Sequence, residues 1–177
     1  MQQIKTVLAL GMFLLAGCAF QPIVWTDSSN IPQNKGVAFV KISLEGRDSA
    51  NIFIDNGGAR AYSKLTVKKG ENIYAMILDE GVYTFRTLLY NHETVMPITA
   101  EKVRPLISEN SKERGSEFYC SSWTVKSNNL SVIGKIQFNV VENDNFYLKC
   151  DVQDSTRLTI EGEARKNFPK TFQFYQE

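Results

Sequence analysis

Apolar residues recur at every second position along most of the chain from Gly36 onward, the period of a half-buried strand. Ala38, Val40, Ile42 and Leu44 alternate with Phe39, Lys41 and Ser43, which predicts a strand buried mainly on one face. Residues 51–55 (NIFID) predict another, with Asn56-Gly57-Gly58 as the hairpin turn before residues 59–67 return. Lys69-Gly70 predicts a turn into the strand 72–78 (NIYAMIL). Asp79-Glu80-Gly81 predicts a further turn, with Gly81 at positive φ, into 82–90 (VYTFRTLLY). On that strand Tyr83 and Phe85 share the inward face, while Val82 and Thr84 point outward.

The rhythm breaks over residues 97–117, where Pro97, Pro105, Gly115 and the charged run SENSKERGSE predict a long loop. Strand patterning resumes over 118–125, 131–140 and 145–152, with 141–144 closing a hairpin. In the second of these, Val132, Ile136, Phe138 and Val140 oppose Lys135, Gln137 and Asn139. Residues 161–167 predict one or two helical turns stopped ahead of Pro169, and 171–175 (TFQFY) alternate like a final strand. Frequent turns and no internal repeat predict one all-β, mainly antiparallel domain over 36–177. The expected fold is an Ig- or transthyretin-like β-sandwich with one short helix near the C-terminus.

The N-terminus follows a different pattern. Met1 to Lys5 carries one positive charge, and Thr6 to Leu15 is an apolar run, well short of the ~20 residues a spanning helix needs. A small-residue stretch follows, so residues 1–17 have the layout of an export signal. Leu15-Ala16-Gly17-Cys18 resembles the lipobox of bacterial lipoproteins at all four positions. The resemblance implies cleavage before Cys18, a diacylglyceryl thioether on its sulfur and acylation of the new amine. Stable anchoring needs more than one acyl chain, which such a cysteine supplies. Ala19 stands where an aspartate commonly favours inner-membrane retention, so the resemblance implies the outer membrane, on its periplasmic face. Residues 18–35 read as a lipidated tether, with 23–25 (IVW) forming a short edge strand.

Export also bears on the cysteines. Setting Cys18 aside leaves Cys120 and Cys150, an even pair in a compartment that oxidises thiols. Phe118 and Cys120 share one strand face, and Phe146, Leu148, Cys150 and Val152 share another, so both sulfurs are expected to point into the core.

Composition narrows the function classes. The chain holds 20 Lys+Arg against 19 Asp+Glu, and Lys5 lies in the signal, so the mature side chains balance. A balanced chain gives no support to nucleic acid as a partner. One histidine excludes every metal site that needs two imidazoles, and no P-loop, dinucleotide fingerprint or CxxC points to a cofactor.

Two segments resemble small β domains of bacterial envelope proteins. Ile52-Phe53-Ile54-Asp55-Asn56-Gly57 resembles the V-x-I-D-G hairpin of PEGA-like modules. Leu78-Asp79-Glu80-Gly81-Val82-Tyr83-Thr84-Phe85 resembles the L-P-P-G-x-Y-x-F element of those modules and of transthyretin-like sandwiches, with Glu80 in place of a usual proline. The resemblance covers residues 37–90 and implies a fold, carrying no catalytic residue.

Candidate chemistry is sparse. His92 follows a predicted strand, and no G-x-S-x-G elbow supplies a serine for it. The carboxylates Asp79-Glu80 and Glu142/Asp144 sit in predicted turns, where adjacent acids are solvated rather than held in a cleft. Tyr119, Ser121, Trp123 and Val125 share one face. Exposed, it would stack on sugars or anchor a protein; inside a sandwich it would be core, the favoured reading. The expected function is therefore non-enzymatic: a lipid-anchored envelope protein, without cofactor, whose domain binds or helps assemble another envelope component. The alternative is an inhibitor of lysozymes or proteases that inserts the 97–117 loop.

Overall fold

The computed structural model describes residues 21–22, 27, 30–56, 63–90, 94–97, 103–104, 122–140 and 146–175. The strands are β1 (Gln21–Pro22), β2 (Lys35–Asp55), β3 (Ser63–Asp79), β4 (Gly81–Tyr90), β5 (Thr94–Pro97), β6 (Val103–Arg104), β7 (Trp123–Val125), β8 (Leu130–Val140) and β9 (Phe146–Asp151). Helices α1 (Asp154–Asn167) and α2 (Pro169–Phe174) follow. The fold is all-β in its body and mainly antiparallel, and among the described residues helix is confined to the C-terminal end.

Strand β2 organises the sheet. One edge pairs antiparallel with β3 from Lys35↔Asp79 to Ile54↔Ser63. The other edge takes β8 in parallel over Val37 to Glu45, then β4 antiparallel over Asn51 to Asp55. Beyond β8 lie β9 and β6; β1 lies outside β3, and β5 and β7 pair with β4.

The β2–β3 register slips between Leu44 and Ser49, with Gly46 at φ 80° and Gly70 at φ 89° beside the slip. A bulge sharpens local twist and bends the strand. Segments 38–44 and 51–55 are thus two halves of one strand. Lys69-Gly70 bends a continuous β3 instead of turning the chain.

Bending brings both halves of the sheet onto one core. Val40, Ile42 and Leu44 meet Ile52, Ile54, Leu65, Met76, Ile136 and Phe138 there. The opposite face, expected to be solvated, carries a second core. Val37 and Phe39 of β2 with Ile73 and Ala75 of β3 pack against Ile160, Ala164, Phe168 and Phe172. Phe39 stacks on Phe172 at 5.2 Å and 11°, and meets Phe168 at 5.5 Å.

Four further expectations are corrected. Residues 171–175 belong to α2 and its C-cap rather than a strand, since Pro169 starts a helix at its first turn, where its missing N–H costs nothing. Gly81 is not at positive φ, and β3 and β4 are not paired, so residues 79–81 lead the chain from β3 to the far edge of β2. Val132 packs against the helices while Ile133 and Ile136 enter the first core; Gly134, at φ 138°, lies in a bulge that flips the register. Within 97–117, β6 pairs in parallel with β9.

The outlook of Tyr83 and Phe85 agrees with the alternation: they are 3% and 8% exposed, whereas Val82 is 52% exposed. In urea unfolding of the chain from Gln21, Phe85→Ala is expected to cost about 3–5 kcal/mol. Thr84→Ala on the exposed face is expected to stay within about 0.5 kcal/mol. Gly134→Ala is expected to be as damaging as Phe85→Ala, because its Cβ would strike the Asp151 carbonyl. Equal losses at Thr84 and Phe85 would overturn the register.

Candidate functional site

Past the second core, the helix-covered face of the sheet turns polar. Lys41 follows Phe39 on that face of β2 and lies directly opposite Lys135 of β8. Two ammonium groups side by side on neighbouring strands repel. Glu71 bridges them: its Oε1 is 2.8 Å from Lys41 Nζ, and its Oε2 contacts Lys135 Nζ. From α1, Glu163 closes on Lys41 with both oxygens, at 2.9 and 3.0 Å. The network ties three strands to the helix.

Lys41, Glu71 and Glu163 border a cleft of about 780 Å³ whose other lining residues include Asp27, Lys68, Asn72, Asn167 and Phe168. Tyr74 stands in its wall, its hydroxyl accepting the Lys68 backbone N–H at 2.9 Å. Burial raises the Tyr74 phenol above its ordinary value. Burial also works against the Lys41 ammonium, but hydrogen bonds from it to Glu71 and Glu163 outweigh that and raise its pKa. Hydrogen bonds from Lys135, then Lys41, hold Glu71 below the usual carboxylate range. Each acid of the network faces a lysine, so opposite charges are held together across the sheet and helix. The network gives the cleft a polar wall of mixed charge.

A second carboxylate shapes the approach to α1. Asp151 accepts the Thr156 hydroxyl at 2.8 Å and the Gln153 N–H at 3.1 Å. These bonds lower its pKa and fix the turn from β9 into the helix.

The residues singled out from sequence are dispersed. Asp79 pairs with Lys35 at 3.1 Å, and Glu80 accepts the Ser127 N–H at 3.3 Å, pinning the β7–β8 turn. Both serve structure. Trp123 and Val125 are buried in the first core, and the Trp123 ring meets Phe85 at 4.5 Å, so this part of the aromatic face is core. Cys150 pairs with Ile136, packs against the first core and is disulfide-bonded. Cys18, His92, Cys120, Tyr119, Ser121, Glu142 and Asp144 lie outside the described residues.

Sequence reading missed Lys41, Lys135, Glu71 and Glu163. Lys41 carried a signal: it interrupts an otherwise apolar row, Val37 and Phe39, on a face that needed a cover. Among the described residues no helix is long and apolar enough to cross a membrane, and no group of three metal-binding side chains assembles.

No protein-family model matches the chain, and no curated protein matches it. Among solved structures, a leucine-rich repeat protein from Bacteroides thetaiotaomicron VPI-5482 is similar over 60% of this chain and 14% of its own, at 17% identity and a TM-score of 0.34. That likeness is too distant to carry fold or function across.

The network predicts a pH signature. Glu71, with its pKa depressed, contributes stability above its ordinary 4.5 that is lost as pH falls through the folded value. Lys41, with its pKa raised, contributes below its ordinary 10.5 and loses it as pH rises through the folded value. Glu71→Gln, which leaves the two lysines facing each other, is expected to cost about 1–2 kcal/mol at pH 7, and Glu163→Gln about 0.5–1, both discounted for partial exposure. Urea midpoints at pH 7 and pH 3 check this: the Glu71→Gln deficit should shrink at pH 3.

Proposed function

We propose that this chain is a lipid-anchored protein of the bacterial envelope, held by acylated Cys18 in the outer membrane on its periplasmic side. Its β domain is non-catalytic and binds or helps assemble another envelope component. One observation carries the reading: Leu15-Ala16-Gly17-Cys18 closes a short apolar signal with a complete lipobox. The polar cleft supports a binding role, because it is lined by side chains of both charges and its volume of about 780 Å³ falls in the ~300–1,000 Å³ range of ligand sites.

The disulfide belongs to the same reading. Cys150 sits on a strand packed against the core, and pairing with Cys120 leaves Cys18 for acylation. Such a bridge closes a loop of about 30 residues, contributing roughly 3–4 kcal/mol in the chain-entropy model.

Cys18→Ser is expected to abolish acylation and leave uncleaved precursor; intact-mass spectrometry of the membrane fraction reads both, and a mature chain of unmodified mass would defeat the proposal. Alkylation of the denatured, unreduced protein is expected to spare Cys120 and Cys150, with stoichiometric labelling of both as the contrary result. Cross-linking in intact envelopes followed by pull-down tests the partner. Membrane assembly proteins support the proposal, and a co-purifying hydrolase would favour the inhibitor instead.

A further inference from the structure

The segment between the acylation site and β2 reads in sequence as a spacer, yet its described residues are fastened to the domain at separate points. Gln21 and Pro22 pair in parallel with Ser63 and Lys64 on the outer edge of β3. The Asp27 carboxylate accepts the Thr171 backbone N–H at 2.9 Å and its hydroxyl at 3.3 Å. Thr171 lies in the first turn of α2, so Asp27 satisfies a donor that a six-residue helix cannot satisfy itself. Ile31 is 3% exposed in the second core, and the Pro32 carbonyl accepts the Lys35 N–H at 2.9 Å.

These attachments change the reach of the anchor. Seventeen peptide units separate Cys18 from Lys35, about 60 Å at full extension, but three separate it from Gln21, about 11 Å. A free run of seventeen residues would let the domain wander by roughly 20–25 Å. The pairing of β1 removes most of that freedom.

We propose that the β1–β3 edge is a membrane-apposed surface. It holds Gln21 within about 11 Å of the acylated cysteine, and the start of β3 one strand spacing of about 5 Å further, against the phospholipid leaflet that takes the acyl chains. The inference rests on acylation of Cys18. The partner is the bilayer itself, recognised through fixed proximity rather than a headgroup pocket.

The full-length acylated protein in phosphatidylcholine vesicles tests this. Ser63, half-buried on β3 directly opposite Gln21, is replaced (Ser63→Cys) and labelled with bimane, with the unsubstituted protein as blank. Headgroup-nitroxide phosphatidylcholine serves as a contact-range quencher. Strong quenching is expected, falling severalfold when a ten-residue Gly/Ser insert is placed between Ala19 and Phe20, outside every attachment point. Equal quenching with and without the insert would overturn the inference, as would none with native spacing. Flotation separates the two levels. A protein that stays out of the vesicle band loses acylation and this inference with it, whereas one that floats with an unquenched probe overturns this inference alone.

Discussion

The structure depends on one long strand that cannot stay straight. β2 pairs with β3 on both sides of a bulge, and its other edge is shared between β8 and β4. A flat sheet would leave those two neighbours in one plane and expose the apolar face of each half. The slip between Leu44 and Ser49 bends β2 and β3 together, so Val40 and Ile42 share a core with Ile52 and Ile54. Gly46 is needed there because a side chain would strike the Val140 carbonyl at the end of β8. Bend, core and strand order are thus one constraint seen three ways.

Alternation in the sequence made much of the first core legible. Ala38, Val40, Ile42, Leu44, Tyr83 and Phe85 face where a period of two puts them, because that period depends on the pleat and not on the partner strand. Bulges were illegible for the same reason. A single residue at Gly134 moves Val132 to the helix side without changing the local composition. Turns at Lys69-Gly70 and Gly81 looked like hairpin chemistry, but glycine bends a strand as readily as it ends one. Helix over 161–167 was legible, but the first two turns of α1 and all of α2 were hidden by polarity: along α1 just Ile160 and Ala164 are buried. Their signal lay in spacing, since Ile160, Ala164, Phe168 and Phe172 fall four residues apart, one row continued across both helices.

The candidate site was less legible still, since its members come from β2, β3, β8 and α1. Lys41 and Lys135 become neighbours through a parallel pairing that no local pattern announces. Once they are neighbours, an acid between them follows electrostatically, and Glu71 is that acid. Glu163 then gives α1 a fixed position over the sheet. The apolar row sets which face of the helix is buried, and the ion network sets where along the strand it comes to rest.

The C-terminal end shows how marginal elements combine. A six-residue helix such as α2 has no stability of its own, because its nucleus costs more than so few bonds return. Three contacts offset that cost: Phe172 stacks on Phe39, the Arg165 guanidinium lies 4.5 Å from the Phe172 ring centre, and Asp27 accepts at the first turn. The first two come from the sheet and α1, the third from the opposite end of the chain. Stabilising α2 and fixing the N-terminal segment are therefore the same event. Loosening either one frees the other, and a domain built this way couples the packing of its last helix to the position of the segment that carries Asp27.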